Sequence, residues 1–186
     1  GDSFSFVQGT ASVRNQGQNH YLHVNASLEG NPEPLTVSLE LQGEDLDQAS
    51  GTLHALVPQA DYSRVFTGQD LGALAILGLE GSGQAWIGVE TGQLSAVTVE
   101  FDVPSLTISG KRQEQARPTE SEQLGLTNLK GMARLSHNSD ESVWELALAN
   151  MSVTYRSDSW QSFNAQVLFT PDQLVEIAAD HLDLGL

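Results

Sequence analysis

The side chains that could do chemistry here are serines, histidines and carboxylates, and their spacing limits what they could do together. Ser82 lies between Gly81 and Gly83, the nearest approach to a strained elbow that exposes a nucleophilic hydroxyl, but the G-x-S-x-G pattern is not met. A flexible turn ahead of a strand at Trp86 accounts for it. The same glycines lack the third glycine and the following helix of a dinucleotide loop. His20 and His23 would share one face of a helix and could grip a metal there; on the strand read for this segment they point to opposite faces. Asp45-Leu46-Asp47 begins like a calcium loop, yet Ser50 stands where the turn glycine is needed and Leu56 where the bidentate glutamate belongs. There is no cysteine, so no disulfide, zinc–thiolate site or thiol nucleophile exists. Carboxylates are numerous, but nothing near them resembles a sugar-stacking platform. Trp86, Trp144 and Trp160 sit in strand-like runs and read as packing residues. No catalytic residue, metal site or cofactor is expected.

The elements that carry these residues are strands. Leu22, Val24, Ala26 and Leu28 alternate with Tyr21, His23, Asn25 and Ser27, the period of a strand with one buried face. After a turn at Gly30-Asn31-Pro32, Leu35, Val37, Leu39 and Leu41 alternate with polar residues, so the two runs pair as a hairpin with one apolar face. Residues 44–80 break the pattern; Leu71, Leu74 and Ala75 have helical spacing between glycines and Pro58, which predicts one or two short helices. A second hairpin follows, with Trp86 to Val89, a turn at Glu90-Thr91-Gly92-Gln93, and then Val97, Val99, Phe101 and Val103. Pro104 is expected to interrupt that ladder or to sit at an edge, after which Leu106 and Ile108 continue the run. Residues 111–123 hold no apolar period and are expected to form a mobile loop. Strand signals recur at 124–135, 143–156, 163–169 and 175–184. Thr170-Pro171-Asp172-Gln173 fits a helix cap, but Val175, Ile177 and Ala179 at spacing two favour a turn and then a strand.

The totals agree with a folded β domain. Thirty-nine per cent of the 186 residues are hydrophobic and 17% charged, neither a disordered nor a coiled-coil composition. Eight Lys and Arg against 24 Asp and Glu leave a formal charge of −16, which repels phosphate and argues against nucleic acid as a partner. No run approaches the length of a membrane span. A chain opening at Gly1 inside a strand-like segment (3–13) reads as part of a longer protein. The glycosylation triplets at Asn25 and Asn150 carry little weight.

Several phrases together resemble a known family. Asn25-Ala26-Ser27-Leu28-Glu29-Gly30-Asn31-Pro32 is similar to a short apolar strand ending in a Gly-Asn turn. Gly81-Ser82-Gly83-Gln84-Ala85-Trp86-Ile87 followed by Thr91-Gly92-Gln93-Leu94-Ser95-Ala96-Val97 is similar to a glycine-led, Trp-bearing strand, a turn and an apolar strand. Ala178-Ala179-Asp180-His181-Leu182-Asp183-Leu184 is similar to a recurrent strand ending. In this order and spacing they resemble the central periplasmic region of the AsmA-like family of bacterial envelope proteins, over nearly the whole chain. The resemblance implies an all-β fold for residues 1–186: a mainly antiparallel curled sheet, a taco-like β-groove, with one or two short helices. It further implies a periplasmic part of a protein anchored in the inner membrane, the anchor lying outside this chain. That family is associated with phospholipid transport between the inner and outer membranes, so the implied partners are phospholipid acyl chains and neighbouring segments of the same parent protein.

Elementary physics supports the groove independently. A sheet with one apolar face must close on itself, cover that face, or offer it to lipid tails. The groove candidates are Leu35, Val37, Leu39, Leu41, Val97, Val99, Phe101 and Val103, with a helical stretch at 55–79 as a possible cover. The competing reading is a non-catalytic β-sandwich for binding or adhesion, which would bury both inner faces against each other; an enzyme with an unrecognised site ranks third.

Overall fold

Alternation of side chains across a pleat needs only a two-residue repeat, and the chain carries that repeat for most of its length. The computed structural model describes residues 6–66, 74–110, 123–138, 143–170 and 174–180. Ten strands run through them: β1 (Phe6–Gln16), β2 (Asn19–Leu28), β3 (Pro34–Gln42), β4 (Ser50–Asp61), β5 (Leu74–Glu90), β6 (Gln93–Gly110), β7 (Gln123–Asn138), β8 (Val143–Tyr155), β9 (Asp158–Phe169) and β10 (Leu174–Ala179). Each pairs antiparallel with the strand before and after it in sequence, giving one curled sheet in the order β1 to β10 that does not close into a barrel.

Turn chemistry joins the strands. Thr91 and Gly92 both have positive φ, 49° and 72°, the two-residue turn whose twist matches a hairpin. Gly92 is needed there for a second reason: a Cβ would run into the backbone carbonyl of Asp47. Its amide donates to Ala49 O at 2.9 Å, so the β5–β6 tip is pinned to the segment before β4.

Among the described residues helix is confined to a single 3-10 turn at Leu46–Gln48 and to α1 (Ser63–Phe66). The helix expected from Leu71, Leu74 and Ala75 is not formed as read: Leu74 and Ala75 open β5, Leu71 lies outside the described residues, and 50–61 is a strand. The period of β4 was hidden because Leu56, on the face opposite Leu53, Ala55 and Val57, is apolar too. The loop expected at 111–123 lies outside the described residues except for Gln123, which begins β7. Ser82, read as part of a turn, is inside β5 at a register shift between Glu80 and Ser82. After Thr170 the chain takes the strand rather than the helix, over Leu174–Ala179, and residues 181–186 lie outside the described set.

The start of α1 is organised by Asp61, whose carboxylate accepts from the Ser63 hydroxyl and from the Ser63 amide at 2.9 Å. These hydrogen bonds hold the Asp61 carboxyl below the usual range. A depressed carboxyl stabilises the folded state above its unfolded pKa, and that contribution fades as pH falls through the folded value. In an NMR titration, the Asp61 midpoint is expected below that of an ordinary aspartate and to rise in Ser63→Ala. An unchanged midpoint in that variant would sink this account of the cap.

Four register shifts stand apart, at Phe6/Gln8, Ile76/Gly78, Gly88/Val89 and Leu174/Glu176. Six gather along one line: Val57/Ala60 between β4 and β5, Glu80/Ser82 between β5 and β6, Thr127/Lys130 and Lys130/Met132 between β7 and β8, and Leu148/Met151 and Met151/Val153 between β8 and β9. Bulges increase local twist and bend a strand, so their alignment creases the sheet along one line. Residues that tolerate or require left-handed backbone sit on that line: Asn128 (φ 53°), Asn150 (φ 53°) and Gly131 (φ 150°).

Among the described residues there is no second layer. Strands touch their sheet neighbours, α1 touches β5, and other contacts between elements are sparse. Among the described residues the buried apolar side chains are Leu28, Ala49 and Met151, and no large side chain is fully buried. The accessible surface is 12977 Å², whereas a compact 20.0 kDa protein would expose roughly 8,700 Å². The sandwich, which needs a facing sheet, is not what these residues form.

Candidate functional site: an uncovered apolar face

Register turns ten separate alternations into one surface. Following the pairs across the sheet, Val13, Leu22, Leu39, Leu53, Ile87, Val97, Leu135, Leu146, Val167 and Ile177 stand side by side, one from each strand. Two residues along, the parallel row is Ala11, Val24, Val37, Ala55, Ala85, Val99, Ala133, Leu148, Ala165 and Ala179. Neither row contains a polar side chain. At the usual strand spacing each row crosses roughly 43 Å of sheet.

The eight residues picked out from the sequence all lie on this face. Leu39 and Val97 belong to the first row, Val37 and Val99 to the second. Leu35 stands opposite Ala26, Leu41 between His20 and Gly51, Phe101 between Gly83 and Gly131, and Val103 opposite Leu129. What sequence reasoning missed is the contribution of the other strands, above all Leu53, Ala55 and Val57 of β4 and Ala133 and Leu135 of β7. The period-2 signal was present for β7 and masked by Leu56 for β4, and period alone does not say which strands stand next to each other.

Exposure shows that the face is open. On the eight inner strands every residue of both rows is half-buried, as expected when sheet neighbours cover the flanks of a side chain and nothing covers its tip. At the two edges Val13 is 71% and Ile177 57% exposed. A continuous apolar surface of this extent is far from the usual exterior of a soluble monomer.

The opposite face is polar and hydrogen-bonded. Asn25 Nδ2 lies 2.9 Å from His23 Nε2, and His23 Nδ1 lies 2.9 Å from Ser38 Oγ. Ser38 is flanked in register by His23 and His54. An imidazole thus touches a hydroxyl, but β3 is an inner strand whose amides are engaged in ladders on both sides. The oxyanion donors that acyl transfer needs are not assembled around Ser38. His54 stacks on Trp86 with ring centroids 5.2 Å apart. His20 faces the apolar side, with Nδ1 3.0 Å from Asn15 Oδ1 and Nε2 3.1 Å from the carbonyl of Gly43. His20 and His23 therefore point apart, and among the described residues no group of three potential ligands could hold a metal ion. No helix among these residues is long and apolar enough to cross a membrane.

Over the crease, on the polar face, is a hollow of about 490 Å³. Leu56 and Met132, 41% and 38% exposed, are among its walls. Glu33, Gln84, Glu100, Asp102 and Lys130 also line it.

No protein-family model matches this chain, and no curated protein or solved structure matches it either.

Proposed function

We propose that this chain is a segment of an AsmA-like envelope protein of the YhdP kind, whose open apolar sheet face carries phospholipid acyl chains between the inner and outer bacterial membranes. The observation that carries the reading is the pair of uninterrupted apolar rows running across the ten described strands, with no described element above them. Each methylene moved from water onto such a surface gains up to about 0.8 kcal/mol when fully covered. A face of this width makes that gain available almost anywhere along it, which suits passage better than capture at one point. The reading places the segment in the periplasm, next to further segments of its parent, and assigns it no catalytic role. A binding or adhesion module is the second reading, and a single uncovered sheet favours it less than a sandwich would.

The test is to purify the protein in the presence of a phospholipid bearing a photoactivatable acyl chain, irradiate, and map the adducts. Adducts on Val37, Leu39, Val97 and Val99, with none on His23, Ser38 or Thr98 of the other face, are the expected result. Absence of adducts, or adducts spread equally over both faces, would falsify the proposal.

A further inference from the structure

The two edges of the sheet differ in how they meet water. β10 has the features that keep an edge from pairing: it spans 6 residues, breaks register at Leu174/Glu176 and carries an exposed carboxylate at Glu176. β1 has none of them over most of its length. Gln8 to Gln16 pair with β2 without a break, include neither proline nor carboxylate, and are exposed throughout. Val13 and Val7 are the most exposed large apolar side chains among the described residues, at 71% and 69%. The one charge on the strand, Arg14, lies inward over the Tyr21 ring of β2, 4.8 Å from its centroid. Among the described strands β2 alone pairs with β1.

The β1–β2 turn fixes which backbone groups point outward. Gly17, with φ 60°, and Gln18 form a two-residue turn closed by Gln16 and Asn19, and the closing pair of such a turn exchanges its amide hydrogen bonds. Bonded and unbonded pairs then alternate, so the outward amides and carbonyls of β1 belong to Gly9, Ala11, Val13 and Asn15. These residues also stand on the apolar side of the sheet. A second β1 set antiparallel to the first meets this pattern by itself, because pairing outward residue with outward residue places apolar side beside apolar side. With Ser12 on the two-fold axis, Ala11 stands opposite Val13 of the other copy, Gly9 opposite Asn15 and Thr10 opposite Arg14. Every outward group is then paired and no like charges meet. Charge favours the same edge: the chain carries −16, yet β1 and β2 contain no Asp or Glu, so two copies approach here against the least repulsion.

We infer that a second copy of this chain pairs edge to edge through β1, giving a two-fold dimer with one continuous sheet. The closed symmetry and the protected β10 edge stop growth at two copies. The contact does not depend on what the apolar face carries.

Sedimentation velocity over a micromolar range is expected to show a monomer–dimer equilibrium, tightened by added salt, which screens the repulsion between acidic chains. Ala11→Pro removes an outward N–H and leaves the β1–β2 ladder whole. It should raise the dissociation constant about tenfold or more with near-UV circular dichroism unchanged. Val13→Lys, which alters only a side chain at the edge, should weaken the dimer too, whereas Ile177→Lys on the other edge should not. The chain has no cysteine, so Ser12→Cys reports the register. Its copies should join through a disulfide, and those of Thr10→Cys, roughly 14 Å apart along the strands, should not. A monomer at every concentration would overturn the dimer and leave the edge to a strand of another protein. A dimer that survives Ala11→Pro and dissolves in Val99→Asp would overturn edge pairing in favour of contact between apolar faces. Equal crosslinking by Thr10→Cys would overturn the register.

Discussion

Val99→Asp is expected to stay folded and to lose acyl-chain contact. Val99 stands between Ala85 and Ala133 in its row, so its lateral neighbours are small, and no described element lies above it. A carboxylate at this position keeps much of its water, and the cost to folding is about 1–2 kcal/mol, mostly lost packing of the valine. In a closed core the same change would bury an unpaired charge and cost about 4 kcal/mol or more. An acyl chain crossing position 99, by contrast, would have to strip that water. A penalty of only about 2 kcal/mol lowers occupancy roughly thirtyfold. The measurement is folded abundance together with photocrosslinking of acyl chains at neighbouring Val97 and Phe101. Unfolding of Val99→Asp would mean that another layer covers this face, and unchanged crosslinking would remove Val99 from the path.

The second large effect is expected at the crease. Gly131 has φ 150°, and a Cβ there would overlap the Met151 sulfur and approach Met151 Cα at 3.1 Å and Ala149 O at 3.2 Å. Met151 is one of the few buried apolar side chains among the described residues, so it has little room to withdraw. Backbone strain of about 1–3 kcal/mol and a comparable overpacking term combine, placing Gly131→Ala about 3–5 kcal/mol below the parent. Part of this should be relieved in Gly131→Ala/Met151→Ala, whose destabilisation should fall short of the sum of the single changes by about 1 kcal/mol or more. Denaturant midpoints of the four proteins measure it. A Gly131→Ala variant within about 0.5 kcal/mol of the parent, the range of an ordinary surface change, would show that the crease does not depend on this contact.

Much of the architecture was legible in the residues. Leu22 to Leu28 with Leu35 to Leu41, and Trp86 to Val89 with Val97 to Val103, announce two hairpins by period and turn chemistry, and the structure places both within the sheet. β4 was not legible, because Leu56 puts an apolar residue on the polar face and Pro58 interrupts the run, so the alternation of Leu53, Ala55 and Val57 is masked. The reading of Ser82 as a turn failed for a related reason: Gly81 and Gly83 mark close strand approach at a bulge, where a Cβ on Gly83 would meet the backbone oxygen of Glu100 at 2.7 Å, rather than a break in the chain.

The sequence by itself determined that this is a β protein, that the strands it announces have an apolar and a polar side, and that its surface is strongly acidic. These are local or additive properties: a two-residue repeat, a turn and a sum of charges need no knowledge of what lies across space. Only the tertiary structure decided that Leu39 stands beside Leu53 and Val97 beside Leu135, that the ten described strands share one sheet, and that among the described residues no second sheet covers it. Register and layering are choices among distant partners that the same alternation satisfies equally well, since a strand buries its apolar side as readily against a facing sheet as it leaves that side open. The hollow between Leu56 and Met132 is the clearest case, because the shifts that crease the sheet arise only once neighbouring strands are paired.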